Sequence, residues 1–162
     1  MQKKTIQLDF TEVDSRDELS REDNLLVQKS IEASQSSYSP YSHFHVGAAV
    51  LLDNGEVVIG NNQENAAYPS SLCAERVALY HAAATNPQAE VEAIAIYAFS
   101  DKEDIDIAVT PCGACRQAMM EYENRSGKNI RVIMKMSDNK FLIAESVKSL
   151  LPLNFDGNHL KQ

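Results

Sequence analysis

Cys73-Ala74-Glu75 and, later in the chain, Pro111-Cys112-Gly113-Ala114-Cys115 are the stretches that decide how this sequence is read. Together they contain all three cysteines of the chain. Three thiolates can hold one Zn²⁺ and leave its fourth position open, which is the arrangement of a catalytic rather than a structural zinc. Glu75 stands two residues after Cys73. A carboxylate there is placed to act as general acid and base beside that open position.

The same stretches carry local structure. Cys73 reads as the start of a helix running to about Ala84 and stopped by Asn86-Pro87. Thr110-Pro111 supplies an N-cap and a proline at the first helical position, so a second helix begins there. Cys112 and Cys115 are three residues apart, hence on one face of that helix. Two helix N-termini then point at one spot, and their partial positive charge favours thiolate over thiol. Three thiolates on a divalent ion leave a net negative charge, which hydrogen-bond donors to sulfur relieve. Arg76 is the candidate donor.

Other readings of the cysteines are weaker. Cys-x-x-Cys can be a redox pair, but redox chemistry leaves Cys73-Ala74-Glu75 without a purpose. A closed structural zinc needs a fourth protein ligand. The histidines are His43, His45, His81 and His159. His81 is about 12 Å along a helix from Cys73, too far to share its metal. His43 and His45 flank a strand and read as surface or packing residues, and His159 lies in the C-terminal tail.

Outward from the motif, the pattern is that of an α/β protein. Ser20 with Asp23 makes an N-cap box variant. Val27, Ile31, Ser34 and Tyr38 then recur at helical spacing until Pro40. Phe44–Leu52 and Glu56–Gly60 read as strands joined by Asp53-Asn54-Gly55, a tight-turn sequence. Val91–Phe99 is nearly all apolar, as a strand buried on both faces would be. Ile130–Met136 and Phe141–Ala144 are further strands, and a short helix at Val147–Leu150 closes the core. The order predicts a three-layer α/β/α fold on a five-stranded mixed sheet. Residues 20–162 form a single domain in this reading, and residues 1–19 an N-terminal extension. The alternation of Ile6, Leu8 and Phe10 allows that extension an edge strand, with partial order the alternative.

Composition narrows the function classes. A chain of 162 residues, 44% apolar and 23% charged, can bury a core without disulfides. A net charge of -8 argues against gripping a phosphate backbone, so no nucleic-acid partner is expected. Nothing reads as a signal peptide or a membrane span. The free thiols suit a reducing cytoplasm.

The cysteine pattern meets the signature of the zinc nucleobase deaminases, in which Cys can stand for the first His. Tyr38-Ser39-Pro40-Tyr41-Ser42, Phe44-His45-Val46-Gly47-Ala48-Ala49, Asn62-Gln63-Glu64-Asn65-Ala66-Ala67-Tyr68 and Leu151-Pro152-Leu153-Asn154-Phe155 accompany it. With these segments the chain closely resembles the small, three-cysteine, homotetrameric cytidine deaminases of nucleoside salvage, from about residue 24 to Phe155. The zinc motif alone is shared with guanine, dCMP, blasticidin and polynucleotide deaminases. Asn62-x-Glu64 is the discriminating element.

The resemblance implies hydrolysis of cytidine and deoxycytidine to uridine and deoxyuridine, with one zinc per subunit held by Cys73, Cys112 and Cys115 and with Glu75 moving the proton. It implies that Asn62 and Glu64 bind the ribose, chiefly its 3′-hydroxyl, that Phe44 packs on the base, and that a backbone N–H near Ala74 holds the base carbonyl. Tyr68 would approach the 5′-hydroxyl and Phe155 would reach a neighbouring subunit's site. A carboxylate at Glu64 would also repel a nearby phosphate. The rival readings are a deaminase of another small amine, such as blasticidin S, and a non-catalytic zinc scaffold.

Overall fold

The structure is a computed structural model, described for residues 1–137 and 139–160, with the side chains of Asn158 and His159 outside the described set. Its elements are β1 (Thr11–Val13), α1 (Arg21–Ser34), β2 (Phe44–Leu52), β3 (Val57–Asn61), α2 (Ala74–Thr85), β4 (Val91–Ser100), α3 (Gly113–Ser126), β5 (Arg131–Ser137) and β6 (Lys140–Ala144), with short 3-10 turns between some of them. The strands form one sheet in the order β1-β6-β5-β4-β2-β3. Among the described strand pairs, β4 and β5 run parallel and the others are antiparallel. A parallel pair needs a crossover, and α3 supplies it.

Strand alternation divides the core into two layers. Ala48, Val50, Ile94, Ile96, Val132 and Met134 face α2 and α3, where they meet Ala78, Leu79, Met119 and Met120. Ala49, Leu51, Ala93, Ala95 and Ile133 face the other way, against Leu26 and Val27 of α1. The three-layer α/β/α arrangement is therefore as the sequence predicts. Close approach on both sides depends on glycine. A Cβ at Gly47 would lie 2.0 Å from Ser30 O, and one at Gly60 would lie 2.4 Å from Ala78 N. Gly60 thus lets α2 lie directly on β3, which sets the height of the Cys73 end above the sheet.

Among the described residues the sheet has six strands, not the five expected. The additional one, β1, pairs with β6 through Thr11↔Ile143 to Val13↔Phe141. It is too short to show alternation, and only Val13 in it is buried. Ile6, Leu8 and Phe10, which do alternate, lie before it and are exposed. The first helix also ends earlier than Pro40. Its last turns are rich in serine: Ser30 Oγ donates to Val27 O, Ser34 Oγ to Ile31 O and Ser36 Oγ to Ala33 O. Hydroxyls that bond to helix carbonyls compete with continuation of the helix. Tyr38, the last residue of the expected apolar stripe, is exposed and bridges to Gln63.

Other local expectations hold. Ser20 caps α1 by accepting from Asp23 N at 3.0 Å. Gly55 has φ 83° in the turn between β2 and β3, where a side chain would be strained. The helix expected at Val147–Leu150 is a 3-10 turn at Val147–Ser149. Buried Glu123 ties this end together by accepting from Ile130 N, Val147 N and Ser146 Oγ at 2.7–2.8 Å.

Candidate metal centre and cleft

Cys73 is the N-cap of α2 and Cys112 the N-cap of α3. The second cap falls later than Thr110-Pro111 suggests, because the Pro111 carbonyl is taken by Arg116 Nε at 2.7 Å and Cys112 keeps an extended ψ of 165°. Each helix therefore starts at a thiol. The sulfurs of Cys73, Cys112 and Cys115 all lie within 4.8 Å of one another, the one such cluster of metal-ligating side chains found among the described residues. Cys73 Sγ is 3.8 Å from Cys112 Sγ, and Cys112 Sγ is 3.4 Å from Cys115 Sγ. A tetrahedral ion with Zn–S bonds of about 2.3 Å separates its sulfurs by roughly 3.8 Å, so the trio fits zinc.

Electrostatics around the trio also call for a cation. Cys73 is pulled down to about 5, chiefly by its hydrogen bond with Cys115, against the opposing effect of burial and with help from Arg76 and Cys112. Cys115 is pushed up, chiefly by that same bond to Cys73, then by burial and by the negative charge of Glu75 and Cys73. On its own, the negative charge at Cys73 thus opposes ionisation of Cys115. A divalent ion removes that obstacle, because thiolate ligands are deprotonated as the metal binds. Arg76 Nη2 lies 3.9 Å from Cys73 Sγ, and Arg76 Nε is buried with no hydrogen-bond partner among the described residues. A guanidinium placed so is matched to an anionic metal–sulfur centre.

Glu75 is only 4% exposed at the first turn of α2. Burial pushes its pKa up, and the Cys73 charge adds to this; its backbone N–H, Cys115 and Arg76 oppose the shift without reversing it. A cleft of about 460 Å³ opens beside it, lined by Phe44, Asn62, Glu64, Cys73, Glu75 and Cys112 among others. The structure therefore brings the metal cluster, the carboxylate and three of the expected substrate residues to one place. Ala74 is buried at the start of α2. Tyr68 is exposed and lines an adjoining hollow with Tyr41, Ser42, Glu64 and Ser71, its ring edge-on to Tyr41. Phe155 is exposed, is not among the cleft-lining residues, and has its carbonyl bound by Gln117 Nε2 at 2.9 Å.

The far end of the cleft is an array of hydrogen-bond acceptors. Asn62 Oδ1 accepts from Val46 N at 2.8 Å, while its Nδ2 donates to Phe44 O at 2.9 Å and to Ser39 Oγ at 3.1 Å. Both amide hydrogens are thereby used, and the remaining lone pair on Oδ1 is what Asn62 can offer a ligand. Glu64 Oε2 accepts from Tyr41 N at 2.8 Å and Ser42 N at 3.2 Å. Burial raises the Glu64 pKa, but hydrogen bonds from Ser42 and the Tyr41 backbone, with the field of His43, outweigh it and hold the group below the ordinary carboxylate value. An anionic acceptor beside a neutral one suits the hydroxyls of a sugar and opposes a phosphate.

Sequence reasoning passed over Ser42, Val46, Leu72, Ile96, Val109 and Thr110, which also line the cleft. Ser42 lies in the quoted Tyr-Ser-Pro-Tyr-Ser segment, so a signal existed for it. Val46 lies in the Phe44-to-Ala49 segment and Thr110 reads as a helix cap, while Leu72, Ile96 and Val109 are apolar positions with no signal of their own.

A buried acid beside three clustered thiols that fit zinc, at one end of a cleft with a carboxylate and an amide acceptor at the other, is the arrangement of a zinc-dependent deaminase class. The model of the family described as "Cytidine and deoxycytidylate deaminase zinc-binding region" matches residues 20–128, and the chain belongs to that family. It is 45% identical over 97 residues to a cytidine deaminase of Halalkalibacterium halodurans, covering 60% of this chain and 69% of that one. The crystal structure of cytidine deaminase from Burkholderia pseudomallei superposes with a TM-score of 0.70 at 33% identity, over 85% of this chain and all of that one. A blasticidin-S deaminase of Bacillus cereus is 29% identical over 143 residues, covering 86% of this chain and 96% of that one. Zinc is the cofactor that the family and the cysteine cluster define.

Proposed function

We propose that this protein hydrolyses the exocyclic amino group of cytidine and deoxycytidine, giving uridine or deoxyuridine and ammonia, as a step of pyrimidine salvage. The observation that carries the reading is the pairing of buried Glu75, at the sulfur trio, with the acceptor pair Asn62 and Glu64 in the same cleft. Cys73, Cys112 and Cys115 hold the zinc, and Arg76 balances the charge on the sulfur of Cys73. Bound zinc supplies the Lewis acidity that makes water a nucleophile near neutral pH.

The chain's own residues do the rest. Phe44 packs against the base and a backbone N–H near Ala74 holds its carbonyl. Asn62 and Glu64 take hydrogen bonds from the sugar hydroxyls and fix its distance from Glu75. Glu75 accepts a proton as water adds to C4 of the ring and passes it to N3; it then takes the second proton from the new C4 hydroxyl as the carbonyl forms and delivers it to the leaving amino nitrogen. One carboxylate serves as base and then acid, which requires a pKa near working pH. The upward push that burial gives Glu75 acts in that direction. Water in and ammonia out balance the reaction.

Residues 20–162 form the deaminase domain in this reading, with 1–19 an extension of it. The protein works as a cytoplasmic homotetramer in which Tyr68 and Phe155 serve sites at subunit interfaces; light scattering showing a monomer would contradict the assembly. Among the described residues no helix is long and apolar enough to cross a membrane.

The test is loss of ultraviolet absorbance when the zinc-loaded protein meets cytidine. Wild type converts it, Glu75→Ala does not, and Glu75→Gln keeps zinc while losing about 10²-fold or more in kcat. Near-normal turnover by Glu75→Gln would remove Glu75 from this role. Blasticidin S belongs in the same panel because of the Bacillus cereus relative. Turnover of blasticidin S with none of cytidine would reassign the substrate, and zinc-loaded protein active on neither would leave a zinc scaffold.

A further inference from the structure

His45 lies on β2 between Phe44 and Val46, both of which line the cleft. Strand alternation turns it to the opposite face of the sheet, toward the end of α1. There its ring is fixed on three sides. It stacks on Phe99, with centroids 4.6 Å apart and 11° between planes. Its Nε2 is 3.0 Å from Asp101 Oδ2, and its Nδ1 is 2.7 Å from Ser37 Oγ. From Ser37 the row of hydrogen bonds continues to Ser39 Oγ at 3.2 Å, and from Ser39 to Asn62 Nδ2 at 3.1 Å. It begins at a carboxylate outside the cleft and ends at a residue that lines it.

The donor in each bond can be worked out from both ends. The carboxylate of Asp101 only accepts, so Nε2 carries the ring proton, and Nδ1 of a neutral ring is then an acceptor. Ser37 must donate to Nδ1. Having one hydrogen, it must accept from Ser39, and Ser39 in turn accepts from Asn62. At the other end, the N–H of Val46 only donates, so it fixes Oδ1 of Asn62 and leaves Nδ2 facing Ser39. The two derivations agree, and each hydroxyl in the row donates once and accepts once. Ser, His and Asp side by side can also form a hydrolytic triad. Here the serine oxygen is held by Ser39, and it is Asn62 that reaches the cleft.

We propose that His45 is a positioning residue for the sugar end of the cleft. Through Ser37 and Ser39 it adds a third restraint on the rotation of the Asn62 amide, beside the Val46 and Phe44 bonds, so that the lone pair left on Oδ1 meets a ribose hydroxyl. The inference rests on the reading that Asn62 binds the ribose. Without the Nδ1 acceptor, Ser37 turns its hydrogen elsewhere and Ser39 loses its acceptor. Ser39 Oγ then rotates freely and no longer holds a lone pair on Asn62 Nδ2, so Asn62 is restrained chiefly by its Val46 and Phe44 bonds. Substrate and transition state lose the same contact, so KM rises while kcat holds.

The experiment is steady-state kinetics of the zinc-loaded full chain on cytidine and on 3′-deoxycytidine. His45→Phe keeps a ring on Phe99 and removes both nitrogens. It raises KM for cytidine about five- to tenfold, the effect of one hydrogen bond, with kcat within about twofold and zinc content unchanged. KM for 3′-deoxycytidine, which lacks the hydroxyl being read, stays put. His45→Asn, whose amide oxygen falls near the Nδ1 position, restores KM. His45→Gln, whose amide reaches toward the Nε2 position instead, does not. Ser37→Ala reproduces the KM of His45→Phe, and the double variant is no worse than either. An unchanged KM, equal behaviour of the Asn and Gln variants, or an equal loss on 3′-deoxycytidine overturns the inference while leaving the deaminase reading intact. A wild type inactive on cytidine overturns the deaminase reading itself, and this inference with it.

Discussion

The two ends of the cleft are built in opposite ways. At the metal end, Cys73, Glu75, Arg76, Cys112 and Cys115 all lie at the starts of two helices, with Glu75 and Cys115 buried. Their places are set by helix geometry and by packing, above all by the contact of α2 with Gly60. At the sugar end, Asn62 and Glu64 lie past the end of β3 and are held by hydrogen bonds to loop and strand backbone. Packing positions the group proposed to move protons, where small displacements cost most. Hydrogen bonds position the groups proposed only to bind the sugar. Damage at the first end should therefore fall on metal content, stability and kcat, and damage at the second on KM.

The largest effect is expected at the sulfurs. Cys112→Ala removes one of three ligands, so metal analysis should find the zinc lost and the absorbance assay no turnover. Full zinc occupancy in that variant would refute the ligand set. Next comes Gly60→Ala, whose Cβ would lie 2.4 Å from Ala78 N and 2.8 Å from Ala74 O. Backbone cannot yield as a side chain can, so thermal or denaturant unfolding should show a loss of about 3 kcal/mol or more, accompanied by weaker zinc retention. A variant as stable as wild type would show that packing does not set the metal end.

At the sugar end the expected change is smaller and of another kind. Glu64→Gln should raise KM for cytidine about tenfold with zinc and melting temperature unchanged. It should also narrow the gap between cytidine and its 5′-phosphate, since the repelling charge is gone. An equal loss of kcat would merge the two ends into one. The smallest effect sharpens the metal end alone. In zinc-free protein the Cys73 pKa is lowered from 9.0 to about 5, so its thiolate contributes stability that is complete above the ordinary thiol range and lost as pH falls through about 5. Thiolate absorbance followed against pH should show one early titration that Cys73→Ala abolishes. Titration of every thiol in the ordinary range would contradict this.

The metal end was far more legible in the sequence than the sugar end. Cys73, Glu75, Cys112 and Cys115 announce themselves because helix starts and metal ligation restrict residue type and spacing together. Asn62 and Glu64 were legible only through resemblance, because two polar residues in a loop have no spacing rule of their own. The row from Asp101 to Asn62 was not legible at all. His45 and Asp101 are 56 residues apart and meet only because β2 pairs with β4, His45 opposite Phe99. Strand β1 escaped for a related reason: its three residues form a strand only because the edge of β6 is there to bond them.

By itself the sequence determined the chemistry: a thiolate zinc centre, an acid beside it, and the α/β pattern that carries them. These follow from residue type and short-range spacing, which local physics fixes. Only the tertiary structure decided the sixth strand, the seating of α2 on Gly60, and which polar side chains stand in a row behind the cleft. Those depend on strand pairing and helix contact between distant segments, where a side chain's role comes from its neighbours rather than from its own chemistry.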